Sequence, residues 1–237
     1  MRNVLEVKKN IFQMNCNNKE NNKENHGYKI KNIIFDFDGC IIDSTQVQKD
    51  AFFGSYAEII GDDKCPSYEE YIKHTGNSVE GVLELLHLPL EMAAPFRRIS
   101  RASVGKIKVN WDLIELIKKL KKYGSKIAIC TGKDHDRTLE ILKYYDIDSY
   151  FDTLICADDV KEHKPSPEPI YMAIRSLGVS NESCYMVGDG YSDIKSAQNA
   201  GIKSVLTLWY GDNGVPKVAD YTVDNVSDLE KILRSNA

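Results

Sequence analysis

The sequence predicts an α/β fold, a doubly wound parallel sheet with an inserted all-helical cap. Two observations predict it. From Lys31 onward, short apolar runs alternate with stretches whose apolar residues recur at helical spacing, and only in the interval 45–108 does that alternation give way to helical patterns alone. A strand–helix–strand repeat returns the chain to one sheet by right-handed crossovers, so the strands run parallel and a ligand is expected outside their carboxyl ends.

Taken in order, residues 1–28 include a polar Asn/Lys/Glu tract from Asn15 to Asn25, too poor in apolar groups to offset its ordering entropy. A disordered extension is expected there. The core is expected over 29–44 and 109–237, with a helical cap over 45–108. The first strand is the apolar run Ile33–Phe35, which ends at Asp36; further strands are expected at 126–130, 151–157, 184–187, 204–208 and 220–223. Helices are expected between them at 111–122, 135–144, 167–177, 192–200 and 226–234. In the first of these, Leu113, Leu116, Ile117 and Leu120 share one face and Gly124 closes the helix. The cap should hold helices near 46–60, 67–74, 78–87 and 91–105. Because it leaves the core just after the first strand and returns before the next strand's helix, it should stand over the first strand's carboxyl end.

At 237 residues the chain can form one large domain, or a core with a modest insert, and bury a substantial interior. A net charge of −4 and a pI near 5.8 lack the basic excess expected for nucleic acid or an anionic membrane, which favours a small-molecule substrate. The six cysteines are scattered, mostly within apolar runs, and fit buried thiols in a reducing cytosol. No run of about 18 apolar residues is present to span a bilayer, and the polar start does not fit the core of a secretory signal. A cytoplasmic location is expected; oligomeric state is not legible.

Four segments carry chemistry. Asp36 and Asp38 leave the first strand at i and i+2, so both can point to one side, and Gly39 permits a sharp turn after them. One carboxylate beside a metal can attack phosphorus, while its neighbour protonates the leaving oxygen and later activates water. Alone, the same pair could merely end a strand. In the second segment Thr131 offers a hydroxyl, and Gly132 and Lys133 offer backbone amides, to a phosphoryl oxygen. In the third, Pro165, Pro167 and Pro169 stiffen the loop around Lys164, with Ser166 as a helix N-cap; the ammonium can neutralise a nucleophile and a transferring phosphoryl group. In the fourth, Asp189 completes an oxygen-rich Mg²⁺ site, and Asp193, one helical turn on, either binds metal-bound water or orients Lys164. On the cap, Arg97 and Arg101 lie one turn apart, either facing an anionic part of the substrate or forming a solvated basic face.

An acidic pair, a hydroxyl, a lysine and a second acidic pair thus follow successive strands of one sheet. On these residues the chain resembles the haloacid dehalogenase superfamily of phosphotransferases, over about residues 31–215. The resemblance implies Asp36 as nucleophile, Asp38 as general acid/base, Thr131 as phosphate ligand, Lys164 as the cation, and Asp189 with Asp193 at the metal. It also implies Mg²⁺ held by Asp36, the Asp38 backbone carbonyl and Asp189, under a cap that closes over substrate. Cys40 stands where that family usually has Thr or Val, and is not expected to react. Within the superfamily the chain looks like the phosphoglycolate-phosphatase group with a small helical cap. A narrower likeness, in Leu88–Phe96 and Gly188–Gly190, is to phosphatases of antibiotic gene clusters that make aminohydroxybenzoate or amino sugars.

The implied activity is Mg²⁺-dependent hydrolysis of a small phosphorylated metabolite through an aspartyl-phosphate. Asp38 together with Asp189 argues against a dehalogenase, which needs neither. A phosphonate hydrolase would use a cap lysine; Lys64 and Lys73 are present, but no local pattern favours either. A sugar-phosphate mutase is the alternative on the same scaffold, although the basic residue its cap usually carries after a glycine is missing between Gly76 and Gly81. A non-catalytic binding module would be expected to have lost one of these groups, and none is missing.

Overall fold

The computed structural model describes residues 31–61, 64–74, 78–211, 214 and 218–234; the extension expected at 1–28 lies outside them. The chain opens with β1 (Asn32–Phe35) and a short β2 (Ile42–Asp43), then runs through the helices α1 (Thr45–Ile59), α2 (Tyr68–Ile72), α3 (Val79–Leu85) and α4 (Ala93–Ala102) to β3 (Lys108–Val109). From there it alternates: α5 (Trp111–Lys122), β4 (Ile127–Cys130), α6 (His135–Tyr144), β5 (Thr153–Ile155), α7 (Glu168–Leu177), β6 (Cys184–Gly188), α8 (Tyr191–Ala200), β7 (Lys203–Thr207), β8 (Tyr221–Val223) and α9 (Val226–Arg234).

The main sheet has six strands in the order β5-β4-β1-β6-β7-β8, and every pairing is parallel. Both faces are covered, which is why the strands read as continuous apolar runs. Ile33 and Phe35 of β1 point to the face packed by Leu113, Ile114 and Ile117 of α5 and Leu229 of α9. Ile34 points to the opposite face, against Ile170 and Ala173 of α7 and Ala197 of α8. Ile117 is fully buried, so Ile117→Ala would cost about 2–5 kcal/mol of fold stability through lost transfer energy and the cavity left behind.

The strand order positions the site. From β1 the chain builds outward through β4 and β5, then returns to lay β6 on the other side of β1. That reversal leaves a crevice at the carboxyl ends of β1, β4 and β6, the usual ligand position in an open α/β sheet. Phe35 is in register with both Ile129 and Val187, so the residues that follow these strands emerge side by side.

The four helices α1–α4 enclose a separate core of Ala51, Phe52, Tyr56, Tyr71, Val82, Leu83, Met92, Ala93 and Phe96. The chain enters and leaves this unit through an antiparallel ribbon, β2 on β3, with Ile42 opposite Val109 and Asp43 opposite Lys108. Two-residue strands leave no periodicity to read, and the expected boundary at 108/109 falls inside β3. The single helix expected over 91–105 is interrupted by tight turns at Leu90–Met92 and Val104–Lys106. The unit is also tied laterally: the buried Arg137 of α6 donates through Nη2 to Ser100 O at 2.8 Å and Ser100 Oγ at 3.2 Å on α4. Among the described residues no helix is long and apolar enough to cross a membrane.

Candidate active site

Asp36 follows β1 directly, and its amide donates to Val187 O at 2.9 Å, which holds the β1–β6 register through the first acidic position. The next residues wrap tightly. Ile41 N and Ile42 N both donate to Phe37 O, and Gly39 N donates to Ile42 O. Phe37, Cys40 and Ile41 are buried by this turn, which leaves Asp36 and Asp38 on the crevice side. Gly39 has φ +73°, and a Cβ there would lie 2.1 Å from Asp189 Oδ2. Glycine is therefore required twice, by the left-handed backbone and by the carboxylate seated over it.

Lys164 is the electrostatic centre, with a side chain only 4% exposed. Its ammonium reaches Asp36 Oδ1 at 2.9 Å, Asp193 Oδ1 at 2.5 Å and Cys130 O at 2.9 Å, so all three of its protons are directed. Asp193 is buried too, and its other oxygen accepts from Gly190 N at 3.0 Å. Of the two roles read from the sequence for Asp193, orienting Lys164 is the one these hydrogen bonds serve. The helix that follows Lys164 starts at Glu168, one residue later than expected, and Ser166 Oγ accepts from Glu168 N at 3.3 Å.

The carboxylates crowd one another. Oxygen atoms of Asp36, Asp189 and Asp193 lie within 4.8 Å of one another. Burial, then repulsion from Asp193, pushes Asp36 up to about 7 against the pull of Lys164. Burial, then repulsion from Asp36 and Asp193, pushes Asp189 up to about 8. Burial opposes the charge on Lys164, yet Asp193 and Asp36 outweigh it and hold the ammonium well above its ordinary range. Ionised together, the three carboxylates exceed the single ammonium facing them. An all-oxygen, net-negative donor set of this kind fits a hard divalent cation such as Mg²⁺, with Asp36 and Asp189 as the side chains to hold it.

Asp38 is anchored from two directions. Its Oδ1 accepts from Ser44 Oγ in a short hydrogen bond and from Gln48 Nε2 at 3.4 Å, and its Oδ2 lies 3.0 Å from Lys133 Nζ. Ser44 occupies the N-cap position of α1 but makes no side-chain cap, its hydroxyl being turned to Asp38. Gln48 also donates to Ser44 Oγ at 2.7 Å, while its Oε1 accepts from Tyr71 OH at 3.4 Å. Sequence reasoning missed Ser44, Gln48 and the side chain of Lys133. The i, i+4 spacing of Ser44 and Gln48 at the start of a helix, just after the acidic pair, was the available signal.

Thr131 is buried after β4, its amide donating to Ile155 O at 2.9 Å. Its Oγ1 accepts from Lys133 N at 3.2 Å. The Lys133 amide is thus turned toward the threonine hydroxyl, and the residue's ammonium lies on Asp38. Thr131, Gly132, His163 and Lys164 line one small cavity.

The cap arginines are both paired. Arg97 bonds Glu80 at 2.7 Å within the cap, and Arg101 lies 3.3 Å from Glu140 of α6. Asp134, which follows Lys133, adds to the field holding Arg97 charged after its bond to Glu80. Cys40 is fully buried, its thiol directed at Val187 O, and burial pushes it well above the ordinary thiol range.

Residues 33–207 match the family of haloacid dehalogenase-like hydrolases. Curated relatives include pyrophosphatase PpaX of Bacillus mycoides, 30% identical with 86% of this chain and 97% of the relative covered. Its counterpart in Bacillus velezensis is 29% identical, with 85% and 95% covered. Among solved structures, CbbY from Rhodobacter sphaeroides in complex with phosphate superposes with a TM-score of 0.74 at 24% identity, covering 85% of this chain and 96% of that one. A HAD-superfamily hydrolase of subfamily IA from Geobacter sulfurreducens gives 0.69 at 24% identity, with 86% and 100% covered. At that identity the two structures speak to the fold.

Proposed function

The chain belongs to the haloacid dehalogenase-like hydrolases, and from that premise we propose that it is a magnesium-dependent phosphatase of small phosphorylated metabolites, working in the cytoplasm through a phosphoryl group carried on Asp36. One observation carries the reading: the buried Lys164 ammonium bonds Asp36 and Asp193 together, beside Asp189, where the chain reverses direction across the sheet.

Each group then has a chemical task. Lys164 favours the ionised form of Asp36 against its burial and offsets the charge of the phosphoryl group as it moves. Mg²⁺, when bound, neutralises carboxylate and phosphoryl oxygens so that two anions can approach. An Asp36 oxygen attacks phosphorus and the bond to the leaving oxygen breaks, that oxygen taking a proton from Asp38. Asp38, now ionised, removes a proton from water, which attacks the aspartyl-phosphate at phosphorus and frees Asp36 and inorganic phosphate. The Thr131 hydroxyl and Gly132 amide offer hydrogen bonds to the remaining phosphoryl oxygens. Lys133, Ser44 and Gln48 fix the angle at which Asp38 meets both oxygens, which matters because proton transfer needs heavy atoms within about 2.6–3.2 Å.

A second reading, cleavage of inorganic pyrophosphate, is favoured by relatives that carry that name across nearly their whole length. The machinery is common to both, because the leaving oxygen belongs either to a metabolite or to a second phosphate. Phosphate release from pyrophosphate and from a panel of phosphorylated metabolites, each with Mg²⁺ and with EDTA, tests the proposal and separates the two. Hydrolysis undiminished by EDTA, or none on any compound, would reject it.

A further inference from the structure

We propose that His135, Cys156 and Asp159 form a second metal site, distinct from the carboxylate cluster and suited to a zinc-class divalent cation rather than to Mg²⁺. One imidazole nitrogen, one sulfur and one carboxylate oxygen from these residues lie within 4.8 Å of one another, and His135 Nδ1 is 3.6 Å from Asp159 Oδ2. A mixed nitrogen, sulfur and oxygen set is what Zn²⁺ and its later transition-metal neighbours take; Mg²⁺ takes oxygen.

The site is built into the fold. Cys156 directly follows β5 and is buried, while His135 opens α6 and Asp159 closes the tight turn Ala157–Asp159. Two hydrogen bonds latch the two loops together, Ala157 N to Lys133 O at 3.1 Å and His135 N to Asp158 Oδ1 at 2.9 Å, and within the second loop Cys156 N donates to Asp159 Oδ2 at 2.8 Å. Donors preset in this way lose little freedom on binding an ion. His135 and Asp159 keep 40% and 34% exposure, which gives an ion an entry path and leaves a fourth position to water. Cys156 also lines the cavity shared by Thr131 and Lys164, so an ion there would brace the loop that presents Thr131.

Cobalt titration of the full chain, saturated with Mg²⁺, tests this. Co²⁺ bound through a thiolate gives a near-ultraviolet charge-transfer absorption that an all-oxygen site cannot produce. One equivalent should develop that absorption, Zn²⁺ should displace it, Cys156→Ser should abolish it, and the surface substitution His135→Ala should weaken binding about tenfold or more. The absorption should survive Asp189→Asn, which removes the proposed phosphatase activity, so the two readings fail separately. No thiolate absorption, its persistence in Cys156→Ser, or affinity unmoved by His135→Ala would overturn the site.

Discussion

The Lys133 ammonium stands 3.0 Å from Asp38 Oδ2, while the amide of the same residue donates to Thr131 Oγ1 at 3.2 Å. One residue thus ties Thr131, the proposed phosphate ligand, to Asp38, the proposed acid/base. With side chains 16% and 27% exposed, the pair is partly shielded from water. Lys133→Ala should lower kcat about ten- to a hundredfold, the worth of about 1.5–3 kcal/mol for a hydrogen bond to a charged group. Comparing kcat and KM for Lys133→Ala and Lys133→Arg checks it: the arginine should restore part of the lost rate.

Asp189→Asn should stabilise the metal-free protein in alkali while removing activity. The folded-state value of Asp189, about 8, lies above the ordinary carboxylate value of 3.8, as does that of Asp36 at about 7. A group raised on folding contributes stability that is complete below its unfolded value and lost as pH rises through the folded one. Metal-free wild type should therefore lose melting temperature between about pH 4 and pH 8, and Asp189→Asn should lose less. Added Mg²⁺ should raise the wild-type Tm at pH 8 but leave the variant almost unmoved. Thermal melts across pH, with and without Mg²⁺, read all three outcomes.

Gly39→Ala should reduce activity more than any loop alanine elsewhere. Its Cβ would stand 2.1 Å from Asp189 Oδ2 at a φ of +73°, so the carboxylate or the turn must move. With Asp189 proposed to hold the metal, its displacement should cost about a hundredfold or more in kcat/KM. Steady-state kinetics over a Mg²⁺ titration would show the loss as a weaker metal requirement curve, not only as a lower plateau.

Arg101→Ala should loosen the cap more than it alters phosphate chemistry. Arg101 joins α4 to Glu140 of α6, next to the Arg137–Ser100 bonds. It is half exposed, so its loss should cost less than about 1 kcal/mol of stability. Activity on p-nitrophenyl phosphate should stay within about threefold of wild type, this being a surface pair. Arg97 pairs with Glu80 inside the cap, and Arg97→Ala on the physiological substrate tests whether its charge reaches that substrate.

Much of this was legible because local rules and tertiary structure agree. The apolar runs at Ile33–Phe35, Ile127–Cys130 and Cys184–Gly188 became buried strands, and the polar residue after each is the one the crevice uses. Helix α5 runs over 111–122 as its periodicity predicts. The strand order was not legible, because placing β1 between β4 and β6 depends on long-range pairing that leaves no local period. The same limit hid the contacts of Lys133, Gln48 and Arg101, whose partners are brought close only by the folded loops. A surface lysine and a lysine paired with a crevice carboxylate look alike in a sequence.

Locating the phosphoryl group in a trapped reaction tests the central claim most directly. Asp38→Asn, mixed with p-nitrophenyl phosphate and Mg²⁺, should release nitrophenol rapidly, since that leaving group needs little protonation, and then stall for want of a base to activate water. Acid quenching, proteolysis and peptide mass spectrometry should find the phosphoryl group on Asp36 and nowhere else. Steady hydrolysis with no phosphorylated peptide, or a phosphoryl group on another residue, would contradict the account.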